Sequence, residues 1–350
     1  RARMQLHRAH RWPRGSGRPH PLTAALAVAL VGGLASCSAS GPAMTRPQNG
    51  LVGRIYDVAS DAFISEQDLA ARLVGPRFVL LGEQHDNPDH HLLQARVIQL
   101  LLASGSRPTV AFEMFATDRA GAIKDCLAPP VCSVDEFRYA VEWDASGWPP
   151  WQLYEPIFKT VIGARLPIVA ADIPSYAMKL LVSSSTQQAA ERAAWIAWLG
   201  IERPMDQKER QELTEEIRKS HCDLLPEEIV PGMVRGQRAR DAHLAKMIEQ
   251  AASGGEGPVV LIAGSGHTRL DRGVPTYFVA PHARESTLSI AFIEAKAKYP
   301  SPRDYVRRFG GDLPFDILWF TERVEREDPC KVNRERLEEI GGKSSSNRSR

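Results

Sequence analysis

Along this 350-residue chain, short apolar runs rich in Val, Ile and Phe alternate with longer segments of helical periodicity. That pattern is the signature of β–α units and a parallel sheet, because a strand buried on both faces reads as a continuous hydrophobic run. The runs are Phe78–Glu83, Thr109–Glu113, Pro167–Asp172 and Pro258–Gly264, followed by Thr276–Ala280, Leu288–Ile293 and Phe315–Phe320. After the first run a helix is expected from about Asp89, with Leu92, Leu93, Val97, Ile98 and Leu101 on its buried side. The expected fold class is therefore α/β, a mostly parallel central sheet flanked by helices. Between the third and fourth runs, residues 175–251 carry Trp195, Trp198, many charges and few strand signals, which reads as a helical cap inserted into the core. Its closing helix, Pro226–Ala251, bears Arg235, Gln237, Arg238, Arg240, Asp241 and His243, and a solvated face accounts for that charge run as well as a site does.

The N-terminus reads as a lipoprotein export signal. A basic arm without acids precedes the apolar run Leu22–Val31, too short for a permanent membrane span, and small residues lead into a cysteine at Leu34-Ala-Ser-Cys37. Residues 1–36 are expected to be removed, leaving Cys37 to carry a thioether-linked lipid and palmitate. The formal charge of +2 includes six arginines before Cys37, so the remaining chain carries about −4, which argues against a nucleic-acid partner. Residues 37–50 read as a flexible tether, 51–174 with 252–325 as the α/β core, 175–251 as the cap, and 326–350 as a charged, disordered tail. Four further cysteines in an oxidising compartment suggest disulfides. Cys126 and Cys132 bracket a loop-like stretch and are the first expected pair, with Cys222 and Cys330 left by elimination.

Four runs end in polar or titratable residues at their carboxyl ends: Glu83 with His85, Glu113, Asp172, and Gly264-Ser-Gly-His267. In open α/β sheets ligands bind outside that edge. Glu83, Glu113 and Asp172 follow apolar runs directly, so their carboxylates need partners. Glu83, His85, Glu113 and His267 offer mixed N/O ligands suited to a divalent transition metal, and equally suited to general acid–base work without one. Taken singly, each acid also reads as a structural cap of a neighbouring helix. His90 and His91 open a helix, and only one of the pair is expected to face the sheet edge. Other templates fail: the glycines around Ser265 do not make a nucleophile elbow or a dinucleotide fingerprint, and no Walker-type lysine loop exists.

Leu81-Gly-Glu-Gln-His-Asp-Asn-Pro-Asp-His-His91, Phe112-Glu-Met114, Gln237-Arg-Ala-Arg-Asp241, and Gly264-Ser-Gly-His-Thr-Arg269 followed by Gly273-Val-Pro275 closely resemble the ChaN family, within the wider Tiki superfamily. The resemblance runs from about residue 51 to 295, and His221-Cys222 with Leu225-Pro226 fits it too. It implies an iron-regulated outer-membrane lipoprotein, on the periplasmic face, that binds haem for uptake, with tyrosine ligation and haems paired across a homodimer. Expected partners are haem, the membrane through the lipid anchor, and a haem-uptake receptor. The resemblance also implies kinship with erythromycin esterases and Tiki proteases. On that side Glu83, His85, Glu113 and His267 are the site residues, His85 is the general base, and the alternative function is a metal-dependent hydrolase of esterase or protease type. A non-catalytic envelope scaffold is the third reading.

Tyrosinate can ligate ferric haem. The candidates are Tyr139, Tyr154 and Tyr176, with Tyr154 favoured because Trp151–Pro156 resembles the family. Trp143, Trp148 and Trp151 could wall a porphyrin. Arg238, Arg240 or Arg269 would meet the propionates, unless they neutralise Glu83 or Glu113 instead. Covalent attachment is excluded by the absence of a CxxCH motif. The segment beyond Ile293 matches nothing in the family and carries a further strand and a charged helix.

Overall fold

A computed structural model describes residues 49–332, except 184 and 310; Cys37, the leader, most of the tether and the tail beyond 332 lie outside the described residues. Eight strands form one sheet: β1 (Ile55–Asp57), β2 (Ala62–Ile64), β3 (Phe78–Glu83), β4 (Thr109–Ala116), β5 (Ile168–Asp172), β6 (Val259–Gly264), β7 (Thr287–Glu294) and β8 (Ile317–Thr321). Their spatial order is β2-β1-β8-β7-β3-β6-β4-β5. From β8 to β5 every pairing is parallel, whereas β1 is antiparallel to both β8 and β2. The fold is thus α/β with a mostly parallel sheet, as the alternating runs predict.

The strand called at Thr276–Ala280 is absent. Val274–Tyr277 is a 3-10 turn whose proline follows its first residue, and a proline there removes a ladder donor. Two strands not expected from the sequence, β1 and β2, are each three residues long.

Alternation along the strands sorts the core into layers. Val79 and Leu81 pack into the cluster that holds Ile98 of α2 (Pro88–Ala103) and Phe158 of α5 (Trp151–Gly163). Phe78 and Leu80 face the other way, against Leu244 and Ile248 of α9 (Val230–Gly254). Helix starts follow local chemistry. Ser65 and Ser133 form capping boxes with Asp68 and Glu136, opening α1 (Glu66–Arg72) and α4 (Val134–Ala140). Asn87 caps α2, with Pro88 at its first position. The helix after β4, α3 (Ala120–Leu127), packs on β5 and leads into a loop closed by the Cys126–Cys132 disulfide.

Residues after β5 form α6 (Ser175–Val182), α7 (Ala189–Leu199) and α8 (Gln207–Ser220) before α9 returns the chain to the sheet. α9 packs on α6 and α8 as well as on β4, β5 and β6. Beyond β8 the chain runs back over the start of α2: Arg326 bonds Asp86 (2.7 Å) and Glu294 (2.9 Å), and Asn87 also donates to Glu294 (2.9 Å). Cys222, after α8, is bonded to Cys330 in this returning segment. Both disulfides therefore pair as the sequence suggests.

Candidate functional site

The chain leaves β3 toward β4 on one side and leaves β6 toward β7 on the other, so the carboxyl edge of the adjacent pair β3–β6 is a topological switch point. Two polar clusters meet there, one built on Glu83 and the other on Glu113.

Glu83, the last residue of β3, is buried. One carboxylate oxygen accepts from His85 Nδ1 (2.8 Å) and the Tyr154 hydroxyl (2.5 Å); the other accepts from Gln94 (2.7 Å) and lies 3.2 Å from His91 Nδ1. Burial pushes this carboxyl up, but the bonds from His85 and His91 outweigh it and hold the pKa at about 2. His91 Nε2 donates to the His85 carbonyl (3.0 Å), leaving Nδ1 to face Glu83 and Gln94 Oε1 (3.2 Å). Both nitrogens meeting acceptors is the arrangement of an imidazolium, and Glu83 raises the His91 pKa against the cost of burial.

His90 and His91 are both fully buried, although only one of the pair is expected to turn toward the sheet edge. The cause is that α2 is covered on two sides: His91 stacks at 3.9 Å on Tyr154 of α5, while His90 accepts from Gln84 N (2.8 Å) and bonds Thr321 of β8 (3.0 Å). Burial lowers the His90 pKa to about 4, so it is a neutral structural group.

Glu113 lies where β4 loses its register with β5. Its Oε2 accepts from the Gly264 backbone (2.8 Å), and its Oε1 is 3.2 Å from His267 Nε2 and 3.7 Å from Arg240. His267 Nδ1 donates to Asp241 of α9 (2.6 Å). Burial disfavours charge on His267, yet the two flanking carboxylates prevail and push its pKa up to about 10. Burial likewise pushes Glu113 up, and the positive field of His267 brings it well below the usual carboxylate range. Arg240 also bonds Asp172 (2.9 Å) at the end of β5. The arginine thus neutralises the strand-end acids.

Between the clusters stands His85. Its side chain is about one-third exposed (36%), Trp148 packs against it edge-on, and among the described residues Nε2 has no bonded partner. Glu83 and Glu113 raise its pKa although burial works against them. Gly264 makes room for the ring: a Cβ at that position would lie 3.1 Å from His85 Nε2 and 3.7 Å from Glu113.

The structure brings Glu83, His85, Glu113 and His267 to one edge but does not make them a metal site. Among the described residues no group of three or more His, Cys, Asp or Glu is arranged to hold an ion. The reason is visible in the bonds: both oxygens of each glutamate are occupied, and His267 is held between two carboxylates. Two haem assignments also need correction. Tyr154 is fully buried, and its hydroxyl is committed to Glu83, whose charge together with burial raises the phenol pKa far above its ordinary value. Its oxygen thus faces Glu83 and no open surface. Arg269 is buried against Asp271 (2.6 Å) and the Phe309 carbonyl (3.0 Å), a structural pairing. Trp143 and Trp151 pack on Phe158 in the core and offer no surface to a porphyrin.

Sequence reasoning missed Asp241 and Gln94 as site members. Asp241 had a signal: it stands one turn before Leu244, Ala245 and Ile248, on the helix face that meets the sheet.

The cap carries exposed aromatic side chains and a cavity of its own. Tyr176 (60% exposed) packs on Trp195 of α7, whose neighbour Trp198 is 49% exposed. Between α7, α8 and α9 lies a cavity of about 400 Å³, lined by Ile196, Met205 and Val234 and by Arg203, Arg210 and Arg238 among its cations. Arg218 also lines it; its guanidinium donates to Glu227 (2.6 Å), another lining residue, while its Nε is buried with no partner among the described residues.

An open parallel sheet with paired Glu–His clusters at its switch point defines the class. The chain belongs to the family of haem-binding uptake proteins of the Tiki superfamily, ChaN, whose pattern it matches over residues 69–278. Among solved structures it is similar to ChaN of Campylobacter jejuni, described as binding haem cofacially. The two are 20% identical over 76% of this chain and 95% of that one, with a TM-score of 0.56. It is more remotely similar to the type III effector HopBA1 (12% identity, 73% and 92% of the chains, TM-score 0.39). An erythromycin esterase mutant in its open conformation is comparably distant (12% identity, 82% and 87%, TM-score 0.38). No curated protein matches the sequence.

Proposed function

We propose that this chain is a haem-binding lipoprotein of an iron or haem uptake system, anchored through Cys37 on the periplasmic face of the outer membrane. The observation that carries the reading is membership of the haem-binding uptake family across residues 69–278. The lipid anchor rests on the sequence before Cys37 alone.

Haem would lie on the cap. Ferric haem accepts a tyrosinate ligand, and of the three tyrosines considered, Tyr139 and Tyr176 are exposed while Tyr154 is not. Tyr176 is preferred because Trp195 packs against it and Trp198, next to Trp195, extends the aromatic surface. The neighbouring guanidinium-lined cavity suits propionates, and the unpartnered Arg218 Nε marks a donor in want of an acceptor. Haemin titrated into the chain from residue 38 should give a saturable visible spectrum of tyrosinate type. Tyr176→Phe should abolish that signature and Tyr139→Phe should leave it. Loss in the Tyr139 variant instead would move the ligand, and no saturable binding by the unmodified chain would overturn the reading.

One observation favours a second, hydrolytic reading of the sheet edge. His85 combines a buried carboxylate on Nδ1 with a partly exposed ring whose Nε2 has no bonded partner among the described residues, the geometry of an oriented general base. Ester hydrolysis that disappears in His85→Ala but persists in Tyr176→Phe would establish it as a separate activity.

A further inference from the structure

β5 ends the sheet, and the space beside it is an open groove of about 820 Å³. Its floor is the Leu166–Ala170 segment, and its walls are α3 with the following loop on one side and Met247, Gln250 and Ala251 of α9 on the other. Val110 N donates to the Pro167 carbonyl (2.9 Å), so Pro167 and Val169 turn their backbone groups toward β4. Ile168 and Ala170, between and beyond them, turn theirs to the groove.

Exposed edges are ordinarily blunted by charge, internal proline or extreme shortness. The opposite edge, β2, is three residues long, with Arg54 laid over its Phe63 ring. β5 reads Ile-Val-Ala-Ala-Asp and has none of these protections before its last residue. One wall of the groove is covalently braced, since the Cys126–Cys132 bond and the Cys132 N–Cys126 O hydrogen bond (2.9 Å) fix the loop carrying Ala128 and Val131. A wall held in place before binding lowers the ordering cost of an occupant. The charged side chains on the lining are Lys124 and Arg165, and no carboxylate lines the groove to answer them.

We propose that this groove receives an extended, acidic peptide segment of a partner protein as a ninth strand beside β5. Backbone bonds to Ile168 and Ala170 would supply affinity, alternate apolar side chains would enter the groove, and terminal carboxylates would meet Lys124 and Arg165.

A random heptapeptide library selected on the intact protein tests the assignment, with Ala128→Trp, which fills the groove from an exposed wall position, as the counter-selection. Enrichment of alternating apolar peptides with Asp or Glu is expected, with at least a tenfold weaker affinity for Ala128→Trp. The Lys124→Glu/Arg165→Glu pair, both at the surface, should turn the preference toward Lys- and Arg-bearing peptides. Bound peptide should also slow amide exchange at Ile168 and Ala170. No enrichment, or enrichment indifferent to both variants, overturns the proposal. So does a dimer in solution that Ala128→Trp dissociates, which would assign the edge to a second copy.

Discussion

Glu83 shows what each carboxylate at the sheet edge must overcome. A buried charge is tolerated only when fully bonded, and Glu83 has four donors around it. Glu83→Gln removes the charge that His85 and His91 share, and should cost about 3 kcal/mol of unfolding free energy in urea. The pH dependence carries a sign for each group. Glu83 has a folded pKa near 2 against an ordinary 4.5, so its contribution is complete above about 4.5 and is lost as pH falls toward 2. His267 has the opposite case, a folded value raised from 6.5 to about 10, so its contribution is present below about 6.5 and disappears as pH rises through 10. Glu83→Gln should flatten the acid limb of the stability profile, and His267→Gln the alkaline limb; a profile unchanged by either would show that its ion pairing is not formed in solution. The strand-end acids were legible because each breaks an apolar run. Tyr154 was not, since a tyrosine that serves a buried carboxylate and one that serves haem leave the same trace in a sequence.

Among elements, the long helix α9 does most to join cap and sheet. It meets α6 through Gly232 and Gly236, four residues apart and so on one face. A Cβ on Gly232 would collide with the Val182 carbonyl, and one on Gly236 would come within 2.8 Å of a Val182 methyl. Alanine is the better helix former by about 1 kcal/mol, but a backbone oxygen cannot turn aside as a side chain can. Gly232→Ala should therefore lower stability by about 1–3 kcal/mol net of that gain, and should weaken haem binding while the His85 titration, followed by NMR, stays where it was. An unchanged melting temperature would mean that α6 yields easily. The long strands and α2 were readable from periodicity. β1 and β2 were too short to show a period, and Val274–Tyr277 carries strand-like residues in a turn dictated by its proline. The charge run of α9 was ambiguous because helical spacing alone does not reveal which face meets a sheet.

At the scale of the molecule, the two ends of the site depend on chain that is distant in sequence. α8 reaches the loop after β6 through Arg272, which bonds Glu212 (3.2 Å) and Glu216, and the segment after β8 reaches Asp86 through Arg326. This returning segment lay beyond the reach of the family resemblance. Its place follows from partners as far as 240 residues away, a relation that no local pattern encodes. The Cys222–Cys330 bond joins it to the end of α8 across 108 residues of chain, and in the chain-entropy account closing a loop of that length contributes about 4–5 kcal/mol.

That bond also determines how the molecule would fare under a protease. Val279, 77% exposed, lies in the connection between Tyr277 and Thr287, inside the covalent ring from Cys222 to Cys330. A single cut beside it should yield one species of full mass on a non-reducing gel and two fragments once thiol is added. Separation without thiol would show the bond unformed. If it holds, damage at an exposed point of that loop breaks the polypeptide without dividing the protein, and integrity comes to depend on the redox state of the surroundings more than on the continuity of the chain.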